Sequence, residues 1–191
     1  MIIGICGKAG SGKDTIAEFI QNKYGFSHDW LAAPLKRTVK DLFVLSDDEV
    51  YDRELRELPL DDWPDWSVRK LLQFIGTELL RRNIDDMILV RSLCRRLTHR
   101  GKTPLNAVGS WIIPDIRLPN EIEMLRKVFG ENFVMMKVIR PGYDGKKVGI
   151  EGHETEKHDL AADFEFLNDS TKEDLWEKVE AVMEGLLERT Q

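Results

Sequence analysis

The chain has 191 residues, 42% of them hydrophobic and 32% charged, and a formal net charge of −6. That length supports one domain, or one domain with a small appended lobe, around a real core. The acidic balance argues against duplex nucleic acid as the main partner, since such proteins need basic surface to displace counterions, but a few convergent Arg side chains suffice for a small anionic substrate. Ile2 to Cys6 is a short apolar run leading straight into glycines, which suits a buried parallel strand. From Lys13 the pattern turns helical, with Ile16, Phe19 and Ile20 on one side. Phe26 to Ala32 reads as a second strand, weakened by His28 and Asp29, and Pro34 starts a helix with Leu35, Val39, Leu42 and Phe43 at helical spacing.

Ser46 to Trp66 is rich in Asp and Glu and holds Pro59, Pro64, Trp63 and Trp66. It reads as an exposed, partly irregular insertion whose charges form a solvated face. Ser67 to Arg82 is a strongly amphipathic helix with Val68, Leu71, Leu72, Ile75 and Leu79 as its apolar stripe, and Arg69, Gln73, Gly76 and Thr77 as a second stripe beside it. A further helix is expected from about Ile84 to Thr98. Trp111 to Ile116 reads as a buried strand whose end Pro114 weakens, Glu121 to Val128 as a helix, and Phe133 to Ile139 as another strand. Phe164 to Leu167 is a last short strand, and Ser170 offers a capping box with Glu173. The closing helix then buries Leu175, Trp176, Val179, Val182, Met183 and Leu186. Strands alternating with helices imply an α/β fold with a mainly parallel sheet covered on both sides.

Cys6 and Cys94 are the two cysteines; they offer neither a disulfide framework nor metal-ligand spacing. No apolar run is long enough to span a bilayer, and the first residues lack the basic start and apolar stretch of a signal peptide. A reducing cytoplasm is the expected setting.

Gly7-Lys-Ala-Gly-Ser-Gly-Lys13 fits the phosphate-loop pattern of a glycine, four residues and Gly-Lys, in the required context between a strand and a helix. The glycines Gly7, Gly10 and Gly12, with Ser11 between, let backbone N–H groups converge on phosphate oxygens. The following helix points its positive end at the same anion, and Lys13 adds a charge near the transferring phosphate. The pattern normally closes with Ser or Thr, which ligates magnesium. Here Asp14 follows Lys13, and the hydroxyl comes at Thr15. A carboxylate is also a hard oxygen ligand, so Asp14 is expected to hold magnesium directly or through water; the rival is a damaged site that binds nucleotide without turnover.

Phosphoryl transfer needs positioning and charge stabilisation more than covalent help, so a phosphate-bearing acceptor calls for cations elsewhere. Candidates are Lys36, Arg37, Arg69, Arg81, Arg82, Arg117 and Arg140. Asp115, at the carboxyl edge of an apolar strand, stands where α/β sheets bind ligands and could serve magnesium or the acceptor, or be a turn-forming Asp before a helix. His153 to Glu156 lacks the second His of a zinc-protease spacing; the Gly- and Lys-rich run Gly142 to Gly152 suits a loop that closes on phosphates better.

Several blocks resemble the deoxynucleoside monophosphate kinases of T4-like bacteriophages. They are Gly7 to Thr15, Leu31 to Lys36, Asp65 to Leu80, Ile112 to Lys127, Val138 to Gly142, His153 to Glu156 and Asp163 to Val179, in the right order over nearly the whole chain. The resemblance implies a P-loop nucleoside monophosphate kinase-like fold, with a five-stranded central sheet, a helical acceptor-binding region at about 34–105 and a lid at about 141–158. It also implies ATP as donor, magnesium (Mg2+), and a deoxynucleoside monophosphate as acceptor. By position, Gly7 to Thr15 would hold the ATP phosphates, with Asn168 falling where such kinases contact adenine. Lys36, Arg69, Gln73, Thr77, Asp115 and Arg117 would line the acceptor site, Arg140 would reach the phosphates, and Asp14 and Asp115 would serve the metal. Lys13, Arg69 and Arg140 are the expected catalytic cations. A dephospho-coenzyme A kinase-like enzyme and a non-catalytic ATP-binding module are the alternatives, and a homodimer is left open. A virus-encoded origin would place the protein in the cytoplasm of an infected cell, free of membrane and nucleic-acid partners.

Overall fold

The computed structural model describes residues 1–99, 109–142 and 160–189. The expected lid loop beyond Gly142 and the His153 to Glu156 block lie outside the described residues. The chain runs β1 (Ile2–Cys6), α1 (Lys13–Tyr24), β2 (Ser27–His28), α2 (Ala33–Leu42), α3 (Asp47–Tyr51), a 3-10 turn (Leu55–Glu57), β3 (Pro59–Leu60) and β4 (Trp63–Ser67). It continues with α4 (Val68–Gln73), a π-helical stretch (Phe74–Arg81), α5 (Ile88–His99), β5 (Trp111–Ile113), α6 (Pro119–Phe129), β6 (Phe133–Ile139), β7 (Phe164–Leu167) and α7 (Lys172–Glu188). Two compact units result: a sheet unit, Met1–Trp30 with Cys94–Gln191, and a helical unit, Leu31–Leu93.

In the sheet unit five strands lie in the order β2-β5-β1-β6-β7, and every pairing is parallel. β1 is central because all five of its residues are buried, so it needs neighbours on both edges and cover on both faces. Ile3 and Ile5 join Ile112, Met136 and Val138 in a core closed by Ile16 and Ile20 of α1 and by Leu175, Val179 and Met183 of α7. Ile2 and Cys6 alternate to the other face and are buried there too. Each such side chain contributes roughly 1.5–3 kcal/mol by leaving water. Val182 packs at the margin of the core and Trp176 stacks on Phe19, both half-buried, where the sequence pattern counts them with the buried face.

β2 is shorter than the expected Phe26 to Ala32. Asp29 ends it: its carboxylate accepts from the Trp30 N–H at 2.8 Å and takes the Arg96 guanidinium at 3.1 Å on each oxygen. Arg96 also donates to the Trp30 carbonyl at 2.8 Å, which fixes the point where the chain leaves the sheet. Asp29 is only 4% exposed, and this bidentate partner is what makes a buried carboxylate tolerable there.

The helical unit has its own smaller core of Leu35, Val39, Val50, Leu60, Val68 and Leu71. Val50 and Leu60 come from the segment expected to be an exposed insertion; α3 and the β3–β4 hairpin organise it instead. Ser46 starts α3 with a capping box, its hydroxyl accepting from the Glu49 N–H at 3.2 Å while the Glu49 carboxylate accepts from the Ser46 N–H at 2.8 Å. Leu42, expected on the buried stripe, is 67% exposed because α2 ends there.

The expected helix from Ser67 to Arg82 is α-helical only as far as Gln73, and π-helical from Phe74. A Cβ on Gly76 would stand 2.9 Å from the Leu35 side chain, so Gly76 lets the helix lie close to α2. The i→i+5 bonding of a π-turn delays the rotation of later residues, which carries Leu79 off the apolar stripe to 45% exposure. The next helix starts at Ile88 rather than Ile84, because the Asp85 carboxylate caps its beginning by accepting from the Met87 N–H at 2.9 Å. At α7 the cap is Thr171, which accepts from the Asp174 N–H at 3.1 Å, while Ser170 bonds the Asp174 carboxylate, so the expected Ser170–Glu173 box shifts by one residue. Those hydroxyl donors hold the Asp174 carboxyl below the usual carboxylate range.

Candidate active site

The loop from Gly7 to Gly12 leaves the carboxyl end of β1 and enters α1. Its three glycines sit at φ 145°, 76° and 108°, a region L side chains avoid. A Cβ on Gly7 would stand 2.4 Å from the Val138 carbonyl oxygen, and one on Gly12 2.6 Å from the Asn168 amide nitrogen. The loop is therefore a backbone cradle that side chains would fill. The Ser11 N–H donates to the Lys8 carbonyl at 3.1 Å, and the buried Ser11 hydroxyl has no hydrogen-bond partner among the described residues. Lys13 folds back over the cradle, its ammonium donating to the carbonyls of Gly7 at 2.6 Å and Lys8 at 2.8 Å. A cation held by neutral carbonyls can exchange them for phosphate oxygens, which bind it more strongly.

Beside the loop lies a cavity of about 310 Å³ lined by Thr15, Arg140, Pro141, Asn168, Asp169, Ser170, Lys172 and Leu175. Arg140 follows β6 and reaches the Gly10 carbonyl at 3.4 Å. Trp176 steadies the start of α1 by donating its indole N–H to the Thr15 carbonyl at 3.4 Å, and stacks on Phe19. The structure thus gathers Gly7, Gly10, Ser11, Gly12, Lys13, Thr15, Arg140 and Asn168 at one edge of the sheet. The wall residues Asp169, Ser170 and Lys172 escape a reading of the sequence, where they look like ordinary residues ahead of a helix.

Asp14 lies exposed in the first turn of α1, and Asp115 lies half-buried two residues beyond β5. β5 is the parallel neighbour of β1, with Gly4 opposite Ile113, so both carboxylates belong to the carboxyl edge of adjacent strands. Among the described residues no cluster of three or more His, Cys, Asp or Glu could hold a metal unaided. Two hard-oxygen ligands fit an ion that keeps several waters and takes the rest of its shell from substrate phosphates, which is the habit of magnesium. The segment after Asp115 is fixed by Glu121, 2% exposed, whose carboxylate accepts from the N–H groups of Arg117 at 2.8 Å and Leu118 at 3.0 Å. Pro119 at the helix start with Glu two residues later is the signal that could have revealed this brace.

The other expected acceptor residues belong to the helical unit. Lys36, Arg69, Gln73 and Thr77 are half-buried there. Arg69 donates to the Glu57 carboxylate at 2.7 Å, and the Lys36 ammonium stands 4.9 Å from the centre of the Tyr51 ring. Arg37 is exposed, and exposed Arg82 pairs with Glu78 at 2.5 Å, a surface i,i+4 contact of little energy. Asp115 and the exposed Arg117 belong to the sheet unit.

Residues 53–179 match the family model described as deoxynucleotide monophosphate kinase. A homologue bearing that name in Acanthamoeba polyphaga mimivirus is 35% identical over 148 residues, 74% of this chain and 75% of the relative. The deoxynucleotide monophosphate kinase of Enterobacteria phage T4 is 26% identical over 121 residues, 63% of this chain and 47% of that protein. Among solved structures, the Mycobacterium tuberculosis APS kinase in complex with AMPPNP and APS superposes with a TM-score of 0.53 at 16% identity, covering 98% of this chain and 96% of that one. An unliganded sugar kinase from Janibacter gives 0.51 at 17% identity, covering 96% and 94%. At such identities the likeness is one of fold, that of P-loop kinases.

Proposed function

We propose that this chain, which belongs to the deoxynucleotide monophosphate kinase family, moves the ATP γ-phosphate to a deoxynucleoside monophosphate, giving ADP and a deoxynucleoside diphosphate. An oxygen of the acceptor's phosphate forms the new bond to the γ-phosphorus, and the bond from that phosphorus to the bridging oxygen breaks, leaving with ADP. The attacking oxygen is already ionised, so no strong general base is needed, and the protein's part is positioning and charge stabilisation.

The observation that carries this reading is the cradle itself: glycines at positive φ closed over by the Lys13 ammonium. Lys13 would trade the Gly7 and Lys8 carbonyls for oxygens of the transferring phosphate, and Arg140, beside the Gly10 carbonyl, would offset charge on the same group. The adjoining cavity suits the nucleoside part of the donor. Asp14 and Asp115 would hold magnesium, directly or through water, and the ion, when bound, would supply charge neutralisation at the phosphates. Arg69 would exchange the Glu57 carboxylate for the acceptor's phosphate, supported by Lys36, Gln73, Thr77, Asp115 and Arg117. A small acidic chain acting on a small anion needs no nucleic-acid or membrane surface, and among the described residues no helix is long and apolar enough to cross a membrane.

The test is ADP release from ATP and magnesium with each of the four deoxynucleoside monophosphates, the matching ribonucleotides and dephospho-coenzyme A. Turnover confined to deoxynucleotides is the expected result. Turnover on dephospho-coenzyme A alone would reassign the acceptor, and tight ATP binding without turnover on any acceptor would sink the reading.

A further inference from the structure

We propose that Asn168 is a positioning residue, a strut that sets the shape of the phosphate loop, and that it does not read the nucleobase. This rests on the proposed use of the loop for the donor's phosphates. The Asn168 main-chain N–H donates to the Ile139 carbonyl at 2.8 Å, continuing the β6–β7 pairing by one residue, so its backbone belongs to the sheet. Its side-chain amide nitrogen donates to the Ser11 carbonyl at 2.8 Å. A carbonyl can only accept, so the group facing it is the NH2.

That contact fixes the peptide between Ser11 and Gly12. A trans peptide is planar with its C=O and N–H on opposite sides, so pinning the Ser11 oxygen also aims the Gly12 N–H. Gly12 is the residue at φ 108° that opens α1, and the space of its missing Cβ lies 2.6 Å from the same amide nitrogen. A loop of glycines has no side chains to lock its shape, so an external brace supplies the stiffness that an anion site needs. The segment bearing the strut is itself tied down, since Asp169 takes the Lys178 ammonium at 3.1 Å and Ser170 bonds Asp174. Asn168 lines the cavity, but its amide nitrogen is held against the loop, which sets the side chain's orientation.

A strut and a base reader differ in what they do to a ligand without a base. Calorimetric titration of the whole chain with ATP, GTP and inorganic tripolyphosphate separates them, using the unaltered protein, Asn168→Ala and Asn168→Asp. The expected result is that Asn168→Ala weakens all three ligands by one common factor, about tenfold for a lost hydrogen bond that leaves a carbonyl unpaired, with the ATP-to-GTP ratio unmoved. Asn168→Asp keeps the size and sets an oxygen against the Ser11 carbonyl, so it weakens all three further; it also serves as the reporter if the alanine variant fails to fold. Loss of ATP affinity with tripolyphosphate unchanged, or a shift in the ATP-to-GTP ratio, would overturn the strut, as would an aspartate variant that binds like the unaltered chain. No acceptor enters the titration, so failure of the acceptor chemistry leaves this result standing. An unaltered chain that binds none of the three would defeat the donor site and the strut together.

Discussion

The two units solve burial differently. The sheet unit closes its core with aliphatic side chains drawn from strands and helices far apart in sequence, and Ile3, Ile5, Ile112 and Met136 are completely buried in it. The helical unit gathers a smaller core from near neighbours in the chain. It also leaves Leu42, Val44, Leu58 and Ile84 more than half exposed, whereas Trp30 and Leu167 are the large apolar side chains exposed in the described part of the sheet unit. Local stability follows buried apolar contact, so the sheet unit should be the last part to open and the helical unit the first. A rigid scaffold thus holds the loop that must not move, and an adaptable one holds Arg69, Gln73 and Thr77.

The largest effect expected is functional and confined to the rigid side. Lys13→Ala should lower kcat on the order of 10²–10³-fold with little change in unfolding midpoint, read by ADP release and urea denaturation. Next come matched core truncations. Ile112→Ala should cost about 3–4 kcal/mol, and Leu71→Ala about 2 kcal/mol, because a site at the edge of a small core collapses more easily around the lost volume. Equal losses in urea unfolding would break the comparison. A smaller effect of opposite sign is expected at Val44, a β-branched residue at φ 54° and 90% exposed. Val44→Gly should stabilise by about 1 kcal/mol by relieving that backbone strain, seen as a higher Tm.

The smallest effect is a pH dependence at Cys94. Burial pushes its thiol up from 9.0 to about 11. The folded state therefore keeps a proton that the unfolded chain loses first. Its contribution is intact below pH 9 and falls as the pH rises toward 11. Urea midpoints measured across that range should decline less in Cys94→Ala than in the unaltered chain, and identical slopes would remove Cys94 from the account.

The elements legible in the sequence are those whose causes are local. β1 announces itself by an unbroken apolar run, the loop by glycines that must take positive φ, and α7 by apolar residues on one stripe. The misreadings have causes that come from elsewhere in the chain. Nothing between Ser67 and Arg82 shows that Leu35 will press on Gly76, so the π-helical stretch and the exposure of Leu79 are invisible locally. The cap of α7 moves from Ser170 to Thr171 because the Asp174 carboxylate accepts from the Ser170 hydroxyl and the Thr171 N–H, while the Thr171 hydroxyl accepts from the Asp174 N–H. At the site, Lys13 and the glycines can be read directly. The amide of Asn168 finds a carbonyl 157 positions away, and only the closed sheet reveals that pairing.

The strand order also sets a timetable. β1 lies between β5 and β6, so this strand must wait for partners that are synthesised much later in the chain. Until Trp111–Ile113 has emerged, Ile2–Cys6 is an apolar ribbon with both edges unpaired, and its second edge stays open until Phe133–Ile139 follows. The helical unit, made of near contacts, can meanwhile form on its own. Assembly of the nascent protein would then run outward from its middle, with the phosphate loop taking shape last, when β7 docks and brings Asn168 against Ser11.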